Sequence, residues 1–228
     1  MPGLGIVAPV SFGDATLPQL DITPLLRVPG ASSDWAVDKV SAGPVATWYG
    51  MVQAGQMVAP TVASQRPNLT TDGVTGRKIM HFDGVNQRFD ATLSLSGAKT
   101  LVVVGRLPLA ANSSYLITGG TGPSFNLYIG SNGKFASTAG TTLASTVTAD
   151  GNMHVFIFVS NGTSSVFSVD GVEVAGAAGT STATGLRVAA TSTVYAQADV
   201  QRIAVVPYAA TSAQRAAILA QMKSQYGL

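Results

Sequence analysis

Residues 76–90 constrain the fold more than any other stretch of this chain. After a Gly turn, Met80 and Phe82 fall on one side of an extended segment and Ile79 and His81 on the other. Asp83-Gly84 then breaks the run, and a second short strand follows around Phe89. Period-two alternation closed by Asp-Gly marks a strand and its turn, because Gly accepts the positive φ that tight hairpin turns require.

The same grammar recurs. Residues 100–106 are a β-branched run ended by Pro108, and residues 115–118 end in Gly119-Gly120. Residues 124–129 set Phe125, Leu127 and Ile129 against Asn126 and Tyr128 and turn at Gly130-Ser131-Asn132-Gly133. Residues 153–160 are apolar on both faces, as a central covered strand would be, and turn at Asn161-Gly162. Residues 165–169 turn at Asp170-Gly171 into residues 172–174, and 186–189 and 200–206 complete the set. Many short strands joined by Gly-containing turns predict an all-β antiparallel sandwich of jelly-roll type. At 228 residues, 46% of them hydrophobic, the chain can fill one such domain.

Both ends depart from this pattern. Residues 1–40 hold Pro2, Pro9, Pro18, Pro24 and Pro29 with no sustained apolar period, which predicts an extended arm rather than sheet interior. Leu17, Leu20, Ile22, Leu25 and Leu26 give that arm enough apolar surface to dock on its own domain or on a partner. Residues 41–228 are then the sandwich. Thr211 and Gln214 have the spacing of a capping box, and Ile218, Leu219, Met222 and Tyr226 form a stripe at helical spacing. A short helix over 211–226, closed by Gly227, is expected to pack on the sandwich edge.

Four stretches together resemble the laminin-G-like, concanavalin A-like jelly rolls of bacterial and phage surface proteins. They are Arg66-Pro67 with Gly76-Arg77 and Phe82-Asp83-Gly84-Val85; residues 124–129 with Gly133-Lys134; residues 152–160 with Val169-Asp170-Gly171; and residues 200–206 with 211–215 and Tyr226-Gly227. The likeness covers roughly residues 60–228. It implies a lectin-like sandwich, and calcium as a cofactor enters only through it. Trp48 leads into Tyr49-Gly50-Met51-Val52, and the FDG turn into Asn86-Gln87-Arg88, where relatives carry more polar and acidic residues. The residues themselves imply no cofactor.

Composition excludes several function classes. The net charge is +2 with scattered basic residues, so no nucleic-acid footprint forms. The longest apolar runs, 101–104 and 154–159, fall far short of the roughly 20 residues of a spanning helix, and no secretory signal is expected. Glu173 is the single glutamate, and no carboxylate cluster of the kind that glycoside hydrolysis uses is visible, so the chain is expected not to be an enzyme. His81 and His154 lack metal-ligand spacing and are expected to be structural. The Ser-x-x-Lys patterns at Ser96–Lys99 and Ser131–Lys134 lack their partner motifs.

Binding remains. Asn126 and Tyr128 project from one face of a strand, and Arg106 from another, giving the amphipathic aromatic and planar donors that sugar sites combine. The expected function is a non-enzymatic structural or adhesive component of a bacteriophage particle, of head-decoration or tail-fibre type. Its partners would be other virion proteins, reached through the arm, and further copies of itself in a homo-oligomer. The alternatives are a glycan-binding module of a bacterial surface protein and, further off, a glycoside hydrolase.

Overall fold

A computed structural model of the protein describes residues 28–37, 43–50, 56–108, 114–119 and 125–228. Within these, seventeen strands and one α-helix form. The first half of the chain supplies β1 (Ser33–Ala36), β2 (Gly43–Pro44), β3 (Thr47–Tyr49), β4 (Gln56–Val58), β5 (Asn68–Thr71), β6 (Lys78–Asp83), β7 (Phe89–Leu95) and β8 (Lys99–Arg106). The second half supplies β9 (Tyr115–Thr118), β10 (Asn126–Ile129), β11 (Lys134–Thr138), β12 (Thr142–Thr148), β13 (His154–Ser160), β14 (Ser165–Val169), β15 (Val172–Gly176), β16 (Ala183–Val188) and β17 (Gln197–Val206). Helix α1 (Ser212–Tyr226) follows.

The strands form two antiparallel sheets, so the fold is an all-β sandwich. The first sheet runs β15-β14-β13-β8-β17-β6-β5-β2 and the second β12-β11-β10-β9-β16-β7-β4-β3. Strand β17 organises the first sheet. One edge pairs with β8; the other pairs with β6 over residues 197–200 and then with β1 over residues 202–205. Inward side chains of both sheets, among them Met80, Phe82, Val103, Phe156, Phe125 and Leu127, make one continuous core. Trp48 is fully buried in it, 5.9 Å from Phe89 between ring centroids, and donates its indole N–H to the Ala36 carbonyl at 3.1 Å.

The arm expected over residues 1–40 is, in its described part, a strand of the sandwich. Ser33–Ala36 pairs with β17, and Val28 and Trp35 are buried. Asp34 explains why this segment joins the domain. Its carboxylate takes Nε and Nη2 of Arg202 at 2.8 and 2.6 Å, and neither side chain has any exposed surface. A buried carboxylate and guanidinium must meet, since each alone would be a costly unpaired charge. Residues 1–27 lie outside the described residues.

Helix α1 begins as its capping box predicts. Thr211 Oγ1 accepts from the Gln214 N–H, the Gln214 side chain returns to the Thr211 N–H, and Gly227 closes the helix at φ 70°. Its place, however, is the outward face of the first sheet and not the sandwich edge. Ile218, Met222 and Tyr226 pack on Val102, Val104, Val155, Ile157, Ala204 and Val206 of the central strands β8, β13 and β17. Those strands are apolar on both faces, so the side turned away from the core also needs cover. The Asp170-Gly171 turn, at φ 53° and 97°, sits beneath the helix, where a Cβ on Gly171 would meet Leu219 at 2.9 Å. Among the described residues no helix is long and apolar enough to cross a membrane.

Candidate functional site

Arg106 lies at the end of β8 on the first sheet, away from Asn126 and Tyr128 on the second. Its Nε donates to Asp199 Oδ2 at 2.6 Å, and Nη1 pairs with Asp72 Oδ1 at 3.0 Å. Asp199 Oδ1 lies 2.7 Å from His81 Nδ1. Burial alone would raise the Asp72 pKa, but the hydrogen bonds from Thr75 and the charge of Arg106 outweigh it and hold it below its ordinary value. Two carboxylates thus claim one guanidinium, which makes Arg106 part of an ion-pair cluster and no free anion receptor.

On the second sheet Phe125, Leu127 and Ile129 enter the core, and Asn126 and Tyr128 face outward as their alternation predicts. Asn126 is only 4% exposed, so it supports the surface from beneath. Tyr128 is half-buried and stacks on Tyr115 of the neighbouring strand, with ring centroids 5.2 Å apart and planes 25° from parallel. Its hydroxyl lies 3.1 Å from Thr142 Oγ1. The pair is built by register, Tyr128 opposite Tyr115 at a bulge between Leu127 and Tyr128. Nothing local in the sequence marks Tyr115, because the contact joins positions in different strands.

A second constellation borders this face. Asp90 on β7 stands opposite Arg187 on β16, and its two oxygens take Arg187 Nε at 2.6 Å and Arg88 Nε at 2.8 Å. Arg187 Nη1 donates to the Thr191 carbonyl and Arg88 Nη1 to the Tyr195 hydroxyl, each at 3.0 Å. Both arginines thereby grip the hairpin closed by the Ala190–Tyr195 bridge. The hydrogen bond that Arg88 donates to Asp90 holds the guanidinium above its ordinary pKa.

Tyr195 also lines a cleft of about 250 Å³, with Asp83, Gly84, Pro108, Ser114, Ala196 and Gln197. Gly84 shapes it. At φ 79°, a Cβ there would stand 2.8 Å from the Gln197 backbone nitrogen, so glycine lets the β6–β7 turn approach the start of β17. Ser114, on the cleft's lining, is the chain neighbour of Tyr115. Stacked rings, hydroxyls and cationic donors beside a small cleft can hold a polar, partly apolar ring such as a sugar.

Other titratable groups act in the frame. His154 lies between Asp170 (Nδ1–Oδ2 2.6 Å) and Asp150 (Nε2–Oδ1 2.8 Å). Burial pulls its pKa down, but the two carboxylates outweigh that and raise it above its ordinary value. Lys99, buried, donates to the Gly97 and Ser181 carbonyls, and burial lowers its pKa. Among the described residues no group of three or more His, Asp or Glu is gathered to hold a metal ion.

No protein-family model matches the chain, and no curated protein matches its sequence. Solved structures share its fold. A Trypanosoma rangeli sialidase in complex with sialic acid matches at TM-score 0.61 and 14% identity, over 86% of this chain and 34% of that one. The binding domain of botulinum neurotoxin DC in complex with SialylT matches at TM-score 0.61 and 6% identity, over 85% of this chain and 52% of that one. A botulinum neurotoxin type C structure, described as entering cells through interaction with two ganglioside molecules, matches at TM-score 0.61 and 6% identity, over 86% and 52%. The chain therefore spans about a third of the sialidase and about half of the toxin chains. At these identities the likeness shows a common β-sandwich. It also corrects the expectation that the chain is not an enzyme, which rested on the missing carboxylate cluster: the same sandwich occurs within sialidase chains.

Proposed function

We propose that this chain is a glycan-binding module whose ligand lies along the outward face of the second sheet, on the stacked Tyr115–Tyr128 pair and toward the cleft at Tyr195. The tyrosine stack is the observation that carries this reading. It is half-exposed, it faces away from the core, and its hydroxyl end is already set by Thr142, so little ordering remains for a ligand to impose. The lectin-like resemblance of residues 60–228 and the sugar-bound proteins that share the fold support the same reading.

A glycan array probed with the intact protein and with Tyr128→Ala tests it. Binding to a defined set of glycans, lost or weakened by about tenfold or more in the variant, is expected from the loss of one stacked ring. No binding to any glycan, or equal binding by the variant, sinks it.

The module's setting is a separate part of the proposal. Display on a bacteriophage particle as a homo-oligomer is motivated by the proline-rich, apolar first residues. Since residues 28–37 belong to the sandwich, residues 1–27 are the segment left to reach a neighbour. Deleting 1–27 should lower incorporation into the particle, and undiminished incorporation would count against this setting.

A further inference from the structure

We infer that the sugar this site takes bears a carboxylate, received by Arg88 and Arg187; this rests on the glycan-binding reading above. Asp90 is the single carboxylate bonded to both guanidiniums, so the cluster carries one uncompensated positive charge. The other guanidiniums with carboxylate partners are not in excess: Arg202 has Asp34, Arg215 has Glu173 on both Nε and Nη2, and Arg106 faces two aspartates.

Geometry adds to the count. In each arginine Nε is fixed by Asp90 and Nη1 by the 190–195 hairpin. Asp90 and the hairpin together therefore use two of the three nitrogens, and each Nη2 has no partner among the described residues. The side chains are 29% and 19% exposed, so solvent and ligand reach them. Two guanidiniums already locked in place lose little freedom on binding, and their planar forks suit a carboxylate's paired oxygens.

Position links the charge to the stack. Asp90, Arg187, Thr118 and Asn126 stand opposite one another in turn across β7, β16, β9 and β10. With neighbouring strands roughly 4.8 Å apart, Arg187 lies about 10 Å across the sheet from the strand that carries Tyr128. That is the span of a short oligosaccharide. Tyr195, which receives Arg88 Nη1, also lines the cleft that Ser114 borders. A single negative charge balances the site, whereas a phosphate dianion would overfill it.

Titration calorimetry on the intact protein with 3′-sialyllactose, its carboxyl methyl ester, lactose and a sulfated lactose tests this. The acid should bind about tenfold or more tighter than its ester and than lactose, as expected for a charge-assisted pair. Arg88→Gln and Arg187→Gln should each remove most of that difference between acid and ester. Equal affinity for acid and ester overturns the inference while leaving the glycan-binding reading intact, and no sugar binding in any arm ends both. Sulfated lactose binding as tightly as the acid overturns the assignment to a carboxylate. The acid-against-ester comparison uses the unaltered protein, so it decides the matter even where an arginine variant loses the hairpin.

Discussion

The two outward faces of the sandwich are built from opposite residue types. On the first sheet the outward positions of the central strands are Val102, Val104, Val155, Ile157, Ala204 and Val206, and a helix covers them. On the second they include Asp90, Arg187, Thr118, Asn126, Tyr115 and Tyr128, and no helix lies on them among the described residues. Apolar surface left in water would cost roughly 25 cal/mol per Å², so the first face recruits α1, with Val28 beside it, as a lid. The second face meets its polar groups with one another and keeps Tyr128 and two arginines within reach. One face has been given to stability, which leaves the other available for recognition.

Unlatching the first face should produce the largest effect. Arg202 joins three elements: it pairs with Asp34 on β1 and donates Nη1 to Gln225 on α1 at 2.9 Å, all from β17. Asp34→Ala strands a buried guanidinium and should cost about 3–5 kcal/mol in urea unfolding, as broken buried pairs do. A loss below about 1 kcal/mol would mean that the lid is held by apolar packing alone.

An intermediate effect follows from pH. His154 has its pKa raised above 6.5, so its contribution is complete below 6.5 and is lost as pH rises through the folded value. Burial pushes Asp150 and Asp170 up, but their hydrogen bonds, including those from His154, lower both below 3.8; their contribution is present above 3.8 and lost as pH falls through the folded values. Melting temperature should therefore peak between these limits and decline on the alkaline side. In His154→Gln the alkaline decline should flatten; an unchanged slope would remove His154 as its cause. The smallest effect belongs to the second face: Tyr128→Ala should alter stability by about 1 kcal/mol or less, since a half-exposed aromatic pair contributes little beyond that. A cost like that of Asp34→Ala would show that the two faces do not divide stability from recognition.

Much of the frame is legible in the residues. The strands at 99–106, 115–118, 154–160 and 165–169 stand out because β-branched or aromatic runs end at Gly, Pro or Asp-Gly, and those are local effects. Strands β11 and β12 do not stand out. Their outward positions are Ala136, Thr138, Thr142 and Ala144, too mild in polarity to sharpen the alternation against Phe135 and Leu143. Pairing of β11 with β10, and of β12 with β11, supplies what their own propensity lacks.

The chain by itself determined that it makes an antiparallel sandwich with a capped C-terminal helix, because hairpin turns and the capping box use neighbours a few residues apart. Only the tertiary structure decided that α1 lies on a face rather than an edge and that Asp34 meets Arg202 across 168 positions. It alone set Tyr115 beside Tyr128 and gave Arg88 and Arg187 a single aspartate. Those pairings depend on register and on which sheet receives each strand, and both follow from burying the whole core at once.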